Sequence, residues 1–275
     1  MKLGMMKQGM ARRRSNSNPN AMRFRDSVAD TLIDQQERRT MKIAVINFSG
    51  NVGKSTVAQH LLAPRLDNAP IIPIESINSD GTETGTLRGS QFDELQDQLM
   101  TLGNAVVDIG ASNVEDFVSL MQSYDGSHED FDLFIVPTVP AAKQQVDTIA
   151  TLRALSELGV SPSKIRVVLN MVDPRQDIAR VFAKLFEFHT RTSTFWLDRQ
   201  AIIYENPIFE KIKGFDKSIA EIRDDPRDYV ALNAEAIDTG APENEKAYIR
   251  QMVALKRLAS RVTTDLDAVF KVMVH

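Results

Sequence analysis

The sequence predicts an α/β fold, with a mostly parallel twisted sheet flanked by helices, and three observations support this prediction. The chain has 275 residues, which suits one large α/β domain or two small ones. Its content of 43% hydrophobic and 25% charged residues is ordinary for a protein that folds around a sizeable core. Short apolar runs rich in β-branched residues alternate with helical stretches, which is typical of parallel strands buried on both faces.

Composition excludes several classes of function. The chain has no cysteine, which excludes disulfides, metal sites with cysteine ligands and thiol nucleophiles. Its four histidines are scattered, which argues against a metalloenzyme. No run of about 18 apolar residues occurs, so we expect no transmembrane helix and a cytoplasmic protein. The net charge of −4 argues against a strongly basic nucleic-acid binder.

Residues 1–40 are predicted to form a basic, unstructured N-terminal extension. They carry a net charge of +5. Because the whole chain has a net charge of −4, the remaining residues carry a net charge of −9. The segment lacks the apolar stretch of a secretory signal, and its first twenty residues offer nothing that could bury a core. Three interpretations stay open: a basic arm that contacts DNA or anionic lipid, a solvated tail, and a start codon placed too early. In each, residues 41–275 are expected to form a single domain that ends in a helix.

A phosphate-binding loop follows the first predicted strand, residues 41–48. The segment 49–56 reads Ser-Gly-Asn-Val-Gly-Lys-Ser-Thr, and a helical stretch from Val57, ended by Pro64, comes next. Strand, glycine-containing loop, Lys-Ser and helix, in that order, are the context of a P-loop. An ordinary strand-to-helix turn is the alternative, since Phe48 stands where the usual pattern has its first glycine.

The residue types in this loop indicate nucleotide chemistry. Gly50 and Gly53 let backbone N–H groups curl around a β-phosphate at a helix N-terminus. Lys54 can reach the β- and γ-phosphates, the Ser55 hydroxyl can bind Mg²⁺, and Thr56 is expected near the α-phosphate. The predicted nucleotide-binding residues of the loop are Gly50, Asn51, Val52, Gly53, Lys54, Ser55 and Thr56.

A second predicted strand, 105–110, ends in Asp108-Ile109-Gly110. A carboxylate at the tip of a strand beside a P-loop can hold Mg²⁺, usually through a water molecule. Gly110 would let a backbone N–H approach the γ-phosphate and so distinguish ATP from ADP. Alternatively, Asp108 caps the helix that begins near Asn113.

Asn170 ends a later predicted strand, 165–170, after a strand at 131–138 and a helix at 141–158. Ligands of open α/β sheets bind at the C-terminal ends of strands, so the Asn170 amide could pair with an adenine edge, or it could cap a turn. The run Asn170-Met171-Val172-Asp173 lacks the lysine of the guanine-reading pattern Asn-Lys-x-Asp, which favours adenine.

Two acidic residues are candidates for orienting an attacking water. Residues 71–81 predict a strand followed by a polar loop that contains Glu75 and Asp80. We take Asp80 as the catalytic candidate, together with Lys54 and Asp108.

The C-terminal third is predicted to complete the domain. Apolar spacing predicts a helix over 175–188, and 195–204 predicts a strand pair or a strand and a helix. Residues 224–242 are expected to form a loop or a loose helical excursion. A last helix, Glu243–Val272, is expected to dock on the domain, with a surface for a partner or a membrane as the alternative.

Residues 41–230 resemble the deviant P-loop ATPases of the ParA/MinD group in the order of their motifs. More narrowly, 41–56 is similar to StbB/TraL-type proteins of plasmid stability and conjugal transfer operons. The resemblance implies ATP and Mg²⁺ as cofactors and a slow ATPase that switches its association with itself or with a partner. It further implies a nucleotide-dependent homodimer, a plasmid-encoded DNA-binding partner, non-specific contact with DNA and association with the nucleoid.

Two departures from that group's pattern bear on activity. In that group a signature lysine extends across the dimer to the phosphate bound by the partner, and Ser49 stands in its place. A serine hydroxyl is too short to reach that phosphate and carries no charge. Arg88 or Lys143 could substitute for the lysine. In that group a pair of aspartates lies in a first switch segment, which corresponds to residues 74–80 here. These aspartates align with Glu75 and Ile77, so the identity of the catalytic acid stays open. The alternatives to an ATPase switch are a nucleotide-binding scaffold that does not hydrolyse ATP and a metabolic P-loop enzyme similar to dethiobiotin synthetase.

Overall fold

Six parallel strands form the sheet of the computed structural model, which describes residues 40–74, 87–215 and 217–274. The strand order is β2-β3-β1-β4-β5-β6, and every neighbouring pair in the described residues is parallel. The predicted α/β fold with a parallel sheet flanked by helices is therefore confirmed. The strands are β1 (Lys42–Val45), β2 (Ile71–Ile74), β3 (Ala105–Ile109), β4 (Leu133–Thr138), β5 (Ile165–Val172) and β6 (Trp196–Tyr204).

Helices connect the strands and cover both faces of the sheet. The first, α1, is a continuous helical segment over 54–65 that passes from α-helical (Lys54–Thr56) to π-helical (Val57–Leu62) to 3₁₀ geometry (Ala63–Arg65). The others are α2 (Gly89–Thr101), α3 (Val114–Ser123), α4 (Ala142–Glu157), α5 (Ile178–Val181), α6 (Ala183–Thr192), α7 (Ile208–Lys211), α8 (Ile219–Asp224), α9 (Tyr229–Asp238) and α10 (Glu243–Val274).

The central strand β1 shows why an uninterrupted apolar run was needed. Successive side chains of a strand point to opposite faces, and here both faces are covered. Ile43 and Val45 pack into the apolar cluster that contains residues of α1 and α10, whereas Ala44 and Ile46 pack into the cluster on the other face. All four are 0% exposed. The sheet is thus buried between two layers of helices.

The predicted docking of the C-terminal helix on the domain is confirmed. Its buried side chains recur at three- and four-residue spacing and belong to the same cluster as β1 and α1. Arg65, at the end of α1, fixes this contact, because its guanidinium donates to the Asp267 carboxylate and to the Thr263 carbonyl of α10. The same group also donates to the carbonyls of His60 and Leu61, which lie at the C-terminal end of α1.

Three local expectations were wrong in detail. The helix predicted over 175–188 is two helices, α5 and α6, because Phe182 leaves the helical region at φ −105° and ψ 25°. Residues 195–204 contain one long strand, β6, whose pairing with β5 shifts register twice. Pro64 does not end α1 but lies in its 3₁₀ turn, near the start of which a missing N–H is tolerated.

The compact unit that carries the sheet begins at Met41. The basic extension predicted for the first forty residues lies outside the described residues, except for Thr40. Among the described helices, none combines the length and the apolar character that crossing a bilayer requires.

Candidate functional site

The predicted phosphate loop leaves β1 at the centre of the sheet. β1 lies between β3 and β4. After β1 the chain forms β2 and β3 on one side of this strand, and it then crosses to form β4 on the other side. The C-terminal edge of a parallel sheet forms a crevice where the connections diverge in this way, and ligands bind there. The loop therefore occupies the position at which this fold binds ligands.

A run of backbone N–H groups in this loop is available to an anion. Val57 N–H makes the first helical bond of α1, to the Gly53 carbonyl at 2.9 Å. In the described part of the chain, the six N–H groups from Gly50 to Ser55 donate to no protein acceptor. Such a run at a helix N-terminus has the geometry and the partial positive charge of a phosphate site.

Two loop residues adopt the left-handed backbone region. Asn51 has φ +58°, a value that asparagine tolerates better than most residues, so it can replace glycine there. Gly53 has φ +81°, and a Cβ atom at this position would lie 2.3 Å from Asn170 Nδ2. Glycine is therefore required at 53 both by backbone conformation and by space.

Asn170 stabilises the loop through a hydrogen bond from its side chain. Its Nδ2 donates to the Val52 carbonyl at 2.9 Å, and the residue is only 2% exposed. The sequence predicted Asn170 to be a nucleotide-binding residue, and the structure places its amide against the predicted loop. The geometry favours a role in supporting the loop over the predicted contact with an adenine edge.

Lys54 lies within the loop and is 8% exposed. Its Nζ donates to the carbonyls of Asn47, at 3.2 Å, and Ser49, at 2.9 Å. Burial lowers the pKa of Lys54 below its ordinary value, and the Asp108 carboxylate opposes this shift. A phosphate placed against the loop would supply the negative charge that favours the protonated lysine.

The predicted Mg²⁺ ligands fit a hard cation by the chemistry of their donors. Ser55 is an exposed hydroxyl in the first turn of α1. Asp108 lies near the end of β3, opposite Val45 of β1, and is 8% exposed. A carboxylate and a hydroxyl beside a phosphate loop are oxygen ligands of the kind that Mg²⁺ prefers.

The backbone N–H of Gly110 already donates a hydrogen bond within the sheet. It donates to the Ile74 carbonyl at 2.9 Å and extends the pairing of β2 with β3. The predicted approach of this N–H to a γ-phosphate would therefore require that bond to break.

An open cavity of about 580 Å³ lies beside the loop. Thr56 and Asn170 line it on the loop side, and its other walls come from the C-terminal ends of β5 and β6 and from the segments that follow them. Apolar walls are provided by Met171, Pro174, Tyr204, Pro207 and Phe209. This size and composition are typical of a small-ligand site, and its position next to the loop suits the base and ribose of a nucleotide.

One wall of the cavity carries an ion pair between Arg175 and Asp173. The Arg175 guanidinium donates to both oxygens of Asp173, from Nε at 2.9 and 3.1 Å and from Nη2 at 2.5 Å. These bonds lower the pKa of Asp173 to about 2. The carboxylate is therefore ionised, with both oxygens engaged by the arginine.

The remaining candidate residues fall into two groups, those outside the described residues and those that the structure describes. Asp80, Glu75 and Ile77 lie outside the described residues. Ser49 is 5% exposed, so its side chain does not extend from the loop as a signature lysine would. Arg88 precedes α2, and Lys143 is exposed in the first turn of α4.

Sequence reasoning missed Asn47, the residue after the buried run of β1. It is 0% exposed, and its side chain bonds to the loop, to the end of β4 and to α4. A polar residue inside an apolar run was the only available signal.

Comparison with known proteins gives the following findings. No protein-family model and no curated protein sequence matches the chain. Among solved structures, it is similar to the MinD cell division protein of Aquifex aeolicus, at 12% identity and TM-score 0.43, over 82% of this chain and 97% of that one. It is similar to pNOB8 ParA at 10% identity and TM-score 0.41, over 84% and 98%. It is also similar to a Cyanothece McdA variant in complex with ATP, at 11% identity and TM-score 0.41, over 81% and 97%. Likenesses at this level establish neither family membership nor function.

Proposed function

We propose that this chain is a ParA-like nucleotide switch that binds Mg-ATP and thereby changes its association with itself or with a partner. In this proposal hydrolysis is slow and resets the switch. The motif order of residues 41–230 supports the ParA-like assignment. The narrower similarity of 41–56 supports a cytoplasmic role in plasmid partition, plasmid stability or conjugative transfer, with a plasmid-encoded DNA-binding partner. Residues 1–40 would be an extension to the domain.

The observation that carries the proposal is the loop itself. Six consecutive N–H groups without a protein acceptor in the described residues, from Gly50 to Ser55, stand at the start of α1. Lys54 lies among them, and a cavity of about 580 Å³ adjoins them. Together these features can bind a chain of phosphates at one end and a nucleoside at the other.

The cavity wall supports adenine over guanine. Guanine presents N–H donors on its Watson–Crick edge, and a carboxylate is the natural acceptor for them. Asp173 is the acidic residue placed by the sequence pattern for that task, but both its oxygens accept from Arg175. The guanine N–H groups would have to compete with the Arg175 guanidinium for these oxygens.

Each residue of the site has a distinct role in this proposal. The loop N–H groups bind the phosphate oxygens, and Lys54 adds a positive charge to the β- and γ-phosphates. Asn170 and Gly53 keep the loop in the shape that the structure shows. Ser55 and Asp108 would hold Mg²⁺, which would neutralise charge that develops on the phosphates. Asp80 is the proposed residue for orienting water.

A non-hydrolysing scaffold is the second candidate, and one observation favours it. Ser49 occupies the position of the signature lysine, and its side chain is buried within the loop. No charge can then reach a partner's phosphate from this position. Release of inorganic phosphate from Mg-ATP separates the two candidates, since a scaffold gives none even with DNA present.

Two measurements test the proposal directly. Calorimetry should detect binding of Mg-ATP to the full chain and its loss in Lys54→Ala, whereas Lys184→Ala, on the exposed face of α6, should bind normally. Light scattering with Mg-ATP and then with Mg-ADP should show a larger molar mass with ATP only. Unchanged nucleotide binding by Lys54→Ala would overturn the proposal.

A further inference from the structure

A buried amide stands at the start of the phosphate loop. Asn47 follows β1 and is 0% exposed. Its Oδ1 accepts the Ser49 N–H at 2.8 Å, and its Nδ2 donates to the Pro137 carbonyl and to Thr148 Oγ1, each at 2.8 Å. The amide therefore joins the loop to the end of β4 and to helix α4, which lie 90 and 101 residues further along the chain at the bonded positions.

The hydrogen-bond partners of the Asn47 side chain determine which of its two terminal atoms is the oxygen and which is the nitrogen. If its oxygen and nitrogen were exchanged, the NH₂ group would face the Ser49 N–H, and the oxygen would face the Pro137 carbonyl. Both contacts would then be repulsive, so one orientation alone satisfies all the groups. A buried amide with every partner present is rigid, because any rotation leaves a polar group unpaired.

Helix α4 makes a second contact with the loop, one turn away from Thr148. Thr151 is 1% exposed, and its Oγ1 accepts the Phe48 N–H at 3.0 Å. The same hydroxyl donates to the Asp147 carbonyl within the helix at 2.9 Å. Buried threonines three residues apart thus turn one face of α4 into a polar contact for the loop.

These contacts divide the segment 48–55 into two parts. The N–H groups of Phe48 and Ser49 are bound by side chains, whereas the next six N–H groups, from Gly50 onward, have no acceptor in the described residues. The bound part fixes the direction in which the open part leaves β1. Phe48 fits where the usual motif has glycine because its φ is not positive.

We propose that Asn47 and Thr151 are positioning residues, which set the anion-binding geometry of the loop and couple it to helix α4. This inference rests on the proposed nucleotide binding and adds to it. Neither residue touches the ligand; each acts by holding a backbone N–H so that the following N–H groups converge on one phosphate.

The test replaces one hydroxyl while conserving the shape of the side chain. Thr151→Val removes the acceptor of the Phe48 N–H, and Thr151→Ser retains it. Thr190→Val is the matched control, because Thr190 is exposed on α6 and its hydroxyl likewise donates to a helix carbonyl, that of Phe186, at 2.9 Å.

Calorimetry with the full chain measures binding of Mg-ATP and of inorganic tripolyphosphate, which has no nucleoside. Thr151→Val should weaken both ligands about tenfold, by the same factor, because only the phosphate contacts are affected. Thr151→Ser and Thr190→Val should stay within about twofold of wild type.

Amide hydrogen exchange gives a second readout that does not depend on a variant. In the wild-type chain the Phe48 and Ser49 N–H groups should exchange more slowly than those of Gly50 and Asn51. Equal exchange at these four positions would overturn the inference, as would wild-type affinity for both ligands in folded Thr151→Val. A wild-type chain that binds neither ligand would instead overturn the proposed function, and the inference with it.

Discussion

The side-chain nitrogen of Asn170 lies 2.9 Å from the carbonyl oxygen of Val52, across 118 positions of sequence. This bond joins β5 to the proposed phosphate loop and leaves no room for a side chain at the neighbouring Gly53. The bond is nearly inaccessible to water, since Asn170 is 2% exposed and Val52 is 0% exposed. This hydrogen bond from the sheet therefore stabilises the conformation of the loop.

The two glycines of the loop should respond differently to the same substitution. Gly53→Ala requires a left-handed alanine and moves Asn170, so we expect it to lower the free energy of unfolding by about 3 kcal/mol. In Gly50→Ala the added methyl group meets no atom within 4 Å, and we expect a change within about 0.5 kcal/mol. Urea unfolding of both variants measures the difference.

A double-mutant cycle identifies the cause of the Gly53 effect. In the background of Asn170→Ala the clash is absent, so Gly53→Ala should cost only its backbone strain, about 1–2 kcal/mol. If Gly53→Ala costs the same in both backgrounds, the contact between these two residues is not the reason that glycine is needed.

Much of this architecture could be predicted from the sequence. The β-branched runs gave the strands, and the regular apolar spacing of α10 gave both its extent and its docking. The run 49–56 predicted the connection between β1 and α1, and its use as a phosphate site stays a prediction. Phe182 escaped prediction, since apolar spacing continues through the position at which the helix breaks. Asn47 and Thr151 escaped it as well, because their roles depend on partners about a hundred residues away.

The ion pair on the cavity wall should govern the choice of base. Arg175→Ala frees both oxygens of Asp173, which could then accept the N–H donors of guanine. We expect the affinity for GTP to rise by about tenfold relative to that for ATP, on the scale of one charge-assisted hydrogen bond. Competition of GTP and ATP against a fluorescent nucleotide measures the ratio.

Arg180→Ala is the matched control for that change. Arg180 is also exposed, lies on α5 and does not line the cavity. Its removal should leave the ratio of the two affinities unchanged. An equal ratio in Arg175→Ala and wild type would mean that Asp173 does not face the base.

His60 should make the fold sensitive to acid. It is 6% exposed within α1, and its ring centroid lies 6.3 Å from that of Phe209. Its Nδ1 has no hydrogen-bond partner among the residues that the structure describes. Burial lowers the pKa of His60 from 6.5 to about 4. Between these two values the unfolded chain binds a proton that the folded chain does not. The contribution of His60 to stability is therefore complete above pH 6.5 and is lost progressively as the pH falls toward 4.

Substitution by an apolar side chain should remove this sensitivity. In wild type, His60 should lower the free energy of unfolding by about 2 kcal/mol between pH 7 and pH 5, at about 1.4 kcal/mol per pH unit below 6.5. His60→Leu should show a correspondingly smaller loss over the same interval, whereas His189→Gln, which leaves His60 in place, should retain it. Urea unfolding at pH 7, 6 and 5 gives the three curves. Parallel curves for wild type and His60→Leu would show that burial in the folded chain does not lower the pKa of His60.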